Sequence, residues 1–122
     1  MKELTKAEEQ IMQILWKLEK GFVNDIIAEM PEPKPAYNTV STIVRILETK
    51  SFVSHKAYGK THEYFPLISK EEYKEGSLSK LVTDYFDNSY KKLVSFFAGD
   101  KKLSKEELEE MKRMIEKELK NK

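Results

Sequence analysis

At 122 residues the chain suits one domain, or one small domain with an appendage, which excludes a large multi-site enzyme. With 39% hydrophobic and 35% charged residues it can bury one small core but is short of apolar mass for two, so part of it is expected to need a partner chain. The absence of cysteine excludes disulfides, thiolate zinc sites, iron–sulfur clusters and thiol catalysis, and the net charge of only +1, taken alone, argues against a nucleic-acid partner.

That average conceals an asymmetry. Residues 1–33 carry four cations against seven acids, whereas residues 34–62 carry five cations (Lys34, Arg45, Lys50, Lys56, Lys60) against one acid, Glu48. No stretch approaches the ~18 consecutive apolar residues of a membrane span, so a soluble, unprocessed, cytoplasmic chain without direct membrane binding is expected.

Thr5 and Glu8 have capping-box spacing and predict a helix from Lys6, with Ala7, Ile11, Ile14, Leu15 and Leu18 as its inward stripe and Met12 and Trp16 on a flank facing a later element. Gly21 is expected to close it in the left-handed conformation. A shorter helix fits "VNDIIAEM", capped near Asn24 or Asp25, and "PEPKP" forms a stiff connector. Residues 36–50 predict a third helix with Val40, Ile43, Val44 and Leu47 on one side. Its other side holds Asn38, Ser41, Thr42, Arg45 and Thr49 where an ordinary surface helix would show Glu and Lys.

In "SFVSHKAYGKTHEYFPL" the period changes to two, predicting strands at 52–57 and 61–65 around a Tyr58-Gly59 turn, with Phe52 opposite Phe65, Val53 opposite Tyr64 and His55 opposite His62. Phe52 and Tyr64 are expected in the core. Beyond Ser69 the pattern is helical: Leu78, Leu81, Val82, Tyr85, Phe86, Tyr90, Leu93, Val94 and Phe97 recur at helical spacing up to an interruption at Gly99-Asp100. Ser104 and Glu107 form a second capping box opening a last helix with Leu108, Met111, Ile115 and Leu119. Helices of this size cannot bury such aromatic faces against each other alone, which implies a second copy in a two-fold dimer.

Three helices followed by a hairpin are the element order of a winged helix–turn–helix. The fold expected is therefore mainly α with a small β hairpin: a winged helix–turn–helix DNA-binding domain over residues 1–68 and a helical dimerisation domain over residues 69–122. In such a module the third helix offers its first turns to the major groove and basic groups meet phosphates. Tyr37, Asn38, Ser41 and Thr42 are the base-facing candidates, Thr39 a phosphate contact, and Arg45 either a guanine reader or a phosphate contact, with Lys56 and Lys60 at the hairpin tip. The plainer alternatives are a solvated helix face, tip lysines that serve solubility, and a winged helix that binds protein instead of DNA. His55 and His62 lack a third and fourth metal ligand at defined spacing, so neither metal nor cofactor is expected. No G-x-S-x-G, P-loop or H-E-x-x-H occurs, and catalysis is not expected.

Through "LTKAEEQIMQILW" and, most densely, "YNTVSTIVRILETKSFVSHKAYGKTHEYFPLISKEEY", the sequence resembles the bacterial penicillinase-repressor family, the BlaI/MecI/CopY type of transcriptional regulator. The resemblance implies a homodimeric repressor that binds double-stranded, palindromic operator DNA of the TACA/TGTA type and dimerises through its C-terminal helices. The dimer contacts are expected at Leu78, Leu81, Val82, Tyr85, Phe86, Leu93, Phe97, Leu108, Met111 and Ile115. Asn38, Thr39, Ser41 and Thr42 match the family's DNA-contacting turn, although several relatives carry Lys or Arg at the positions of Asn38 and Ser41. Antibiotic-responsive members are cut at an Asn–Phe bond when a membrane sensor protease is triggered; the corresponding place here is Phe96-Phe97, where Phe97 matches and Phe96 does not. The C-terminal cysteines with which copper-responsive relatives hold metal are absent.

Overall fold

Thr5 caps the first helix as its sequence predicts. In the computed structural model, which describes residues 3–99 and 103–122, the Thr5 hydroxyl accepts from the Glu8 amide at 3.2 Å and the Thr5 amide donates to the Glu8 carboxylate at 2.8 Å. Helix α1 (Lys6–Leu18) follows, then α2 (Val23–Ala28), α3 (Tyr37–Thr49), strands β1 (Val53–Tyr58) and β2 (Thr61–Pro66), and helices α4 (Lys70–Tyr85), α5 (Tyr90–Gly99) and α6 (Lys105–Lys120). The architecture is mainly helical with one antiparallel hairpin, as expected. The chain divides into two compact units, residues 1–76 and 77–122.

The core of the first unit is built from the inward stripes. Ile11, Met12 and Leu15 of α1, Ile26 of α2, Val40, Val44 and Leu47 of α3, and Phe52, Val53 and Tyr64 of the hairpin are buried together. Met12 belongs to this core, not to a flank. Trp16 does occupy the flank: its indole N–H donates to the Ile68 carbonyl at 2.8 Å, and its ring lies 5.7 Å from Tyr73, in the first turn of α4. Phe52 packs edge-on to the same Tyr73 at 6.0 Å.

Gly21 is not the helix stop. Glu19 takes the positive φ (72°) at the end of α1, with its amide donating to Leu15, and Gly21 instead forms a two-way backbone bridge with Tyr64 at 2.9 and 2.8 Å. A Cβ on Gly21 would lie 3.3 Å from Cβ of Asp25, closer than ordinary contact, so a side chain there would crowd α2. The hairpin register also differs from the expected one by two residues: Val53 pairs with Pro66, His55 with Tyr64 and Ala57 with His62. The cause is the turn. Its two central residues are Gly59-Lys60, and Gly59 takes the positive φ (63°) at the first of them, the requirement of a type II′ turn. Because the shift is two residues, every side chain keeps its face.

Two further features of the helices lie beyond the periodicity. Ser69 and Glu72 make a third capping box, at the start of α4, with bonds of 3.1 and 3.0 Å. Helix α4 stops at Tyr85 because Asp87 and Asn88 both adopt left-handed backbone (φ 52° and 58°), a conformation these short polar side chains tolerate; Ser89 then caps α5. The Ser104 box opening α6 is present, with bonds of 2.9 and 3.1 Å, while Asp100 of the expected Gly99-Asp100 interruption lies outside the described residues.

Glu8 does more than cap. Its side chain is 5% exposed and receives Lys50 Nζ at 2.9 Å, joining α1 to the end of α3. Burial pushes the Glu8 carboxyl up, but the Thr5 amide, the Lys50 ammonium and the Thr5 hydroxyl outweigh it and hold the group below the ordinary carboxylate range. A depressed folded-state value means that this stabilisation is complete above the unfolded glutamate value and is lost as pH falls through the folded one. Glu8→Gln, which keeps the cap but strands Lys50, is expected to cost about 1–2 kcal/mol at pH 7. In urea titrations the gap from the unsubstituted protein should narrow as the solution is acidified; a gap that is independent of pH would show that the charge contributes nothing.

Candidate nucleic-acid interface

Helix α3 forms because its apolar residues recur on one side, and burying Val40, Val44 and Leu47 fixes which side faces out. Tyr37, Asn38, Thr39, Thr42 and Arg45 are exposed and Ser41 is half-buried; Asn38, Thr42 and Arg45 share one outward face with Thr39 and Ser41 beside it, whereas Tyr37, at the first position of the helix, lies on the side of the buried Val44. Several of their polar groups are already committed to the helix itself. The Thr42 hydroxyl donates to the Asn38 carbonyl at 2.8 Å, the Thr49 hydroxyl to the Arg45 carbonyl at 3.1 Å, and Arg45 Nε to the Ser41 carbonyl at 3.4 Å. Arg45 has no carboxylate partner among the described residues, and its terminal guanidinium nitrogens remain available to a ligand.

The five cations of the basic window separate into two kinds. Lys34 donates to the Ala28 and Met30 carbonyls, closing the end of α2, and Lys50 neutralises Glu8. Both are structural. Arg45, Lys56 and Lys60 are exposed and tied to no carbonyl of a helix end or buried acid, whereas Lys34, though exposed and still charged, is fixed at the end of α2. The lone acid, Glu48, is drawn toward the hairpin, where its carboxylate meets His55 Nδ1 at 2.6 Å. Charge counting along the sequence finds the window but cannot distinguish a cation that neutralises a buried group from one that faces solvent.

The hairpin carries an aromatic and cationic tip. Lys56 Nζ lies 5.3 Å from the centre of the exposed Tyr58 ring, which in turn packs on Phe22 at 5.8 Å. Nearer its base, the His55 and His62 rings stack nearly parallel, 4.0 Å apart with planes 7° from each other. Stacked faces do not aim their ring nitrogens at one point, and among the described residues no group of three or more metal-binding side chains occurs. Burial, with the Glu48 charge added, pushes the Tyr64 hydroxyl up, so this core residue stays neutral at physiological pH.

One exposed residue of α3 escapes the polar pattern. Ile46 is 42% exposed and sits in a shallow groove with Thr42, Arg45, Thr49 and Lys50. The signal is present in the spacing, since Ile46 follows Thr42 by four residues, although the sequence pattern places Ile46 on neither side of the helix.

In the second unit Val82 is buried. Phe86, Leu93, Leu108 and Met111 are half-buried, while Leu78, Leu81, Tyr85, Phe97 and Ile115 are exposed together with Met114 and Leu119. Phe96 and Phe97 lie within α5, their rings 5.6 Å apart, with Phe86 5.8 Å from Phe96. Among the described residues no helix is long and apolar enough to cross a membrane.

The family described as penicillinase repressor matches residues 4–117. The methicillin resistance regulatory protein MecI of Staphylococcus aureus strain N315 is 26% identical over 116 residues, covering 94% of each chain. The penicillinase repressor of Bacillus licheniformis is 24% identical over 115 residues, covering 93% of this chain and 90% of its own. A solution structure described as the DNA-binding domain of the repressor BlaI covers 60% of this chain and 94% of its own, with 26% identity and a TM-score of 0.51.

Proposed function

This chain belongs to the penicillinase repressor family, a family of transcriptional repressors and not of enzymes, and on that premise we propose that it is a homodimeric repressor whose two α3 helices enter successive major grooves of a palindromic promoter. The observation that carries the reading is the outward face of α3. It pairs an arginine free of any described acid with short polar side chains, and the one acid of the basic window is held aside by His55. Asn38, Ser41, Thr42 and Tyr37 then face base edges, Thr39 a phosphate, and Lys56 and Lys60 the flanking backbone. The operator proposed is a TACA/TGTA-type dyad, with half-sites one helical turn or more apart.

Residues 69–122 are proposed as the dimerisation domain. The exposed apolar side chains of α4, α5 and α6 (Leu78, Leu81, Tyr85, Phe97, Ile115) are too many for a monomer surface and suit a second copy. Control of β-lactam resistance or related stress genes, in the cytoplasm and under a membrane sensor protease, extends the reading. Its cleavage at Phe96-Phe97 would require opening α5 and would separate α6 from the rest, costing the dimer its two-site avidity.

Fluorescence anisotropy on a TACA/TGTA dyad duplex tests the DNA reading. Arg45, Lys56 and Lys60 from both protomers supply six cations, so log affinity is expected to fall with log salt at a slope of about 5, roughly a thousandfold between 50 and 200 mM. Binding that ignores salt and does not prefer the dyad over its scrambled counterpart would defeat it.

A further inference from the structure

We infer that Ile46, with Thr42 and Thr49 beside it, makes the outward stripe of α3 a reader of thymine 5-methyl groups. The inference rests on the DNA-binding reading above and adds to it the chemical feature that is read.

At 100° per residue, Asn38, Thr42, Arg45, Ile46 and Thr49 fall within about 100° of the helix circumference, opposite the buried Val40, Val44 and Leu47. This stripe is the part of α3 farthest from the core and therefore the first to meet anything that approaches the helix. Its chemistry is less polar than its composition suggests. The Thr42 and Thr49 hydroxyls have given their hydrogens to carbonyls one turn earlier, so neither has a donor left for a base; what they offer a ligand is a lone pair and a methyl group. Between them in the groove lies Ile46, 42% exposed. Lys50 closes the groove, but its ammonium is bound to Glu8 and to the Glu3 carbonyl, so this edge does not form a phosphate site. Arg45, the remaining lining residue, keeps its guanidinium free of any described acid.

An exposed isoleucine by itself carries no meaning, since single apolar residues are common on surfaces. Here it is continuous with two threonines that have no donor to give, on a face that pairs such a strip with a cation no described acid holds. The major groove offers a matching surface. Of the four bases only thymine presents a methyl group there, beside acceptors that a guanidinium can satisfy. A protein partner, by contrast, would have to cover Arg45 with a carboxylate, and that partner is the other outcome of the experiment.

The probe is a duplex selected from a random pool by the full-length protein. Each thymine in it is then replaced singly by deoxyuridine, which removes only the 5-methyl group. At one or more positions per half-site the unsubstituted protein should lose about fourfold in affinity, the worth of one buried carbon. Ile46→Ala should bind the thymine and deoxyuridine duplexes at that position equally, whereas Ile46→Val, which keeps a branched side chain, should retain most of the discrimination. Thermal melting of each variant confirms that it is folded. If deoxyuridine is neutral throughout, or if Ile46→Ala discriminates as strongly as the unsubstituted protein, the inference falls while DNA binding stands. If no duplex is enriched, the DNA reading fails and takes this inference with it.

Discussion

Replacing Arg45 by alanine is expected to weaken operator binding by about 1–3 kcal/mol per DNA-binding head, and by twice that in a complex that engages both. Among these outward cations Arg45 is the one on α3, and no described carboxylate competes for it. Arg45→Lys separates its two candidate roles. A lysine supplies a phosphate with nearly the same charge but cannot reproduce the two-pronged geometry that meets O6 and N7 of guanine. If Arg45→Lys retains both affinity and the salt slope, Arg45 is a phosphate contact. If it retains the slope but loses the preference for one base pair, Arg45 reads guanine. Competition titrations against duplexes changed one base pair at a time distinguish the two, and an Arg45→Ala protein that binds as well as the parent would remove α3 from the interface.

Phe52→Ala is expected to cost about 4 kcal/mol of stability, the largest effect of any single truncation in the first unit. The ring is 1% exposed and lies at the junction of the hairpin, α3 and the start of α4: its amide donates to Leu47, its carbonyl accepts from Leu67, and its ring packs on Tyr73. Alanine keeps both backbone bonds and leaves a cavity that Val53, on the next position of the strand, cannot reach across the pleat to fill. Leu67→Ala is the matched control. Leu67 is exposed, and its truncation should remain within about 0.5 kcal/mol. Urea midpoints decide the matter; comparable losses at the two positions would mean that burial does not set the energetics here.

What can be read before folding is the part governed by neighbours in sequence. The Thr5 and Ser104 boxes lie where three-residue spacing puts them because both partners of each box are local. The inward stripe of α3 follows from helical period, and so does that of α1 except at its margins, where Met12 lies in the core and Ala7 is exposed. What escapes depends on which backbone conformation a short segment selects or on what lies across the fold. Gly59 accommodates a positive φ at either central position of a two-residue turn, and the choice moves the register by two. The pattern of Leu, Tyr and Phe continues through Asp87 and Asn88, so the break between α4 and α5 is marked only by two residues that tolerate left-handed backbone. Lys50 counts as positive charge in the sequence; only the position of Glu8 shows that it is neutralised internally. Ile46 is hidden for the complementary reason, an apolar residue on a face whose other members point to polar chemistry.

The backbone bridge between Gly21 and Tyr64 has a mechanical consequence. A hairpin joined to its domain only through its own two ends would swing like a flap and adapt to whatever curvature the duplex presents. This one is bolted at its midpoint, on a strand residue that is itself buried. The distance from α3 to the hairpin tip is thereby set by the protein, and in the proposed complex the compliance must come from the nucleic acid. Flexible base steps between the helix contact and the tip contact should then be favoured even where no side chain touches them, because the energy of bending the duplex becomes part of its selection.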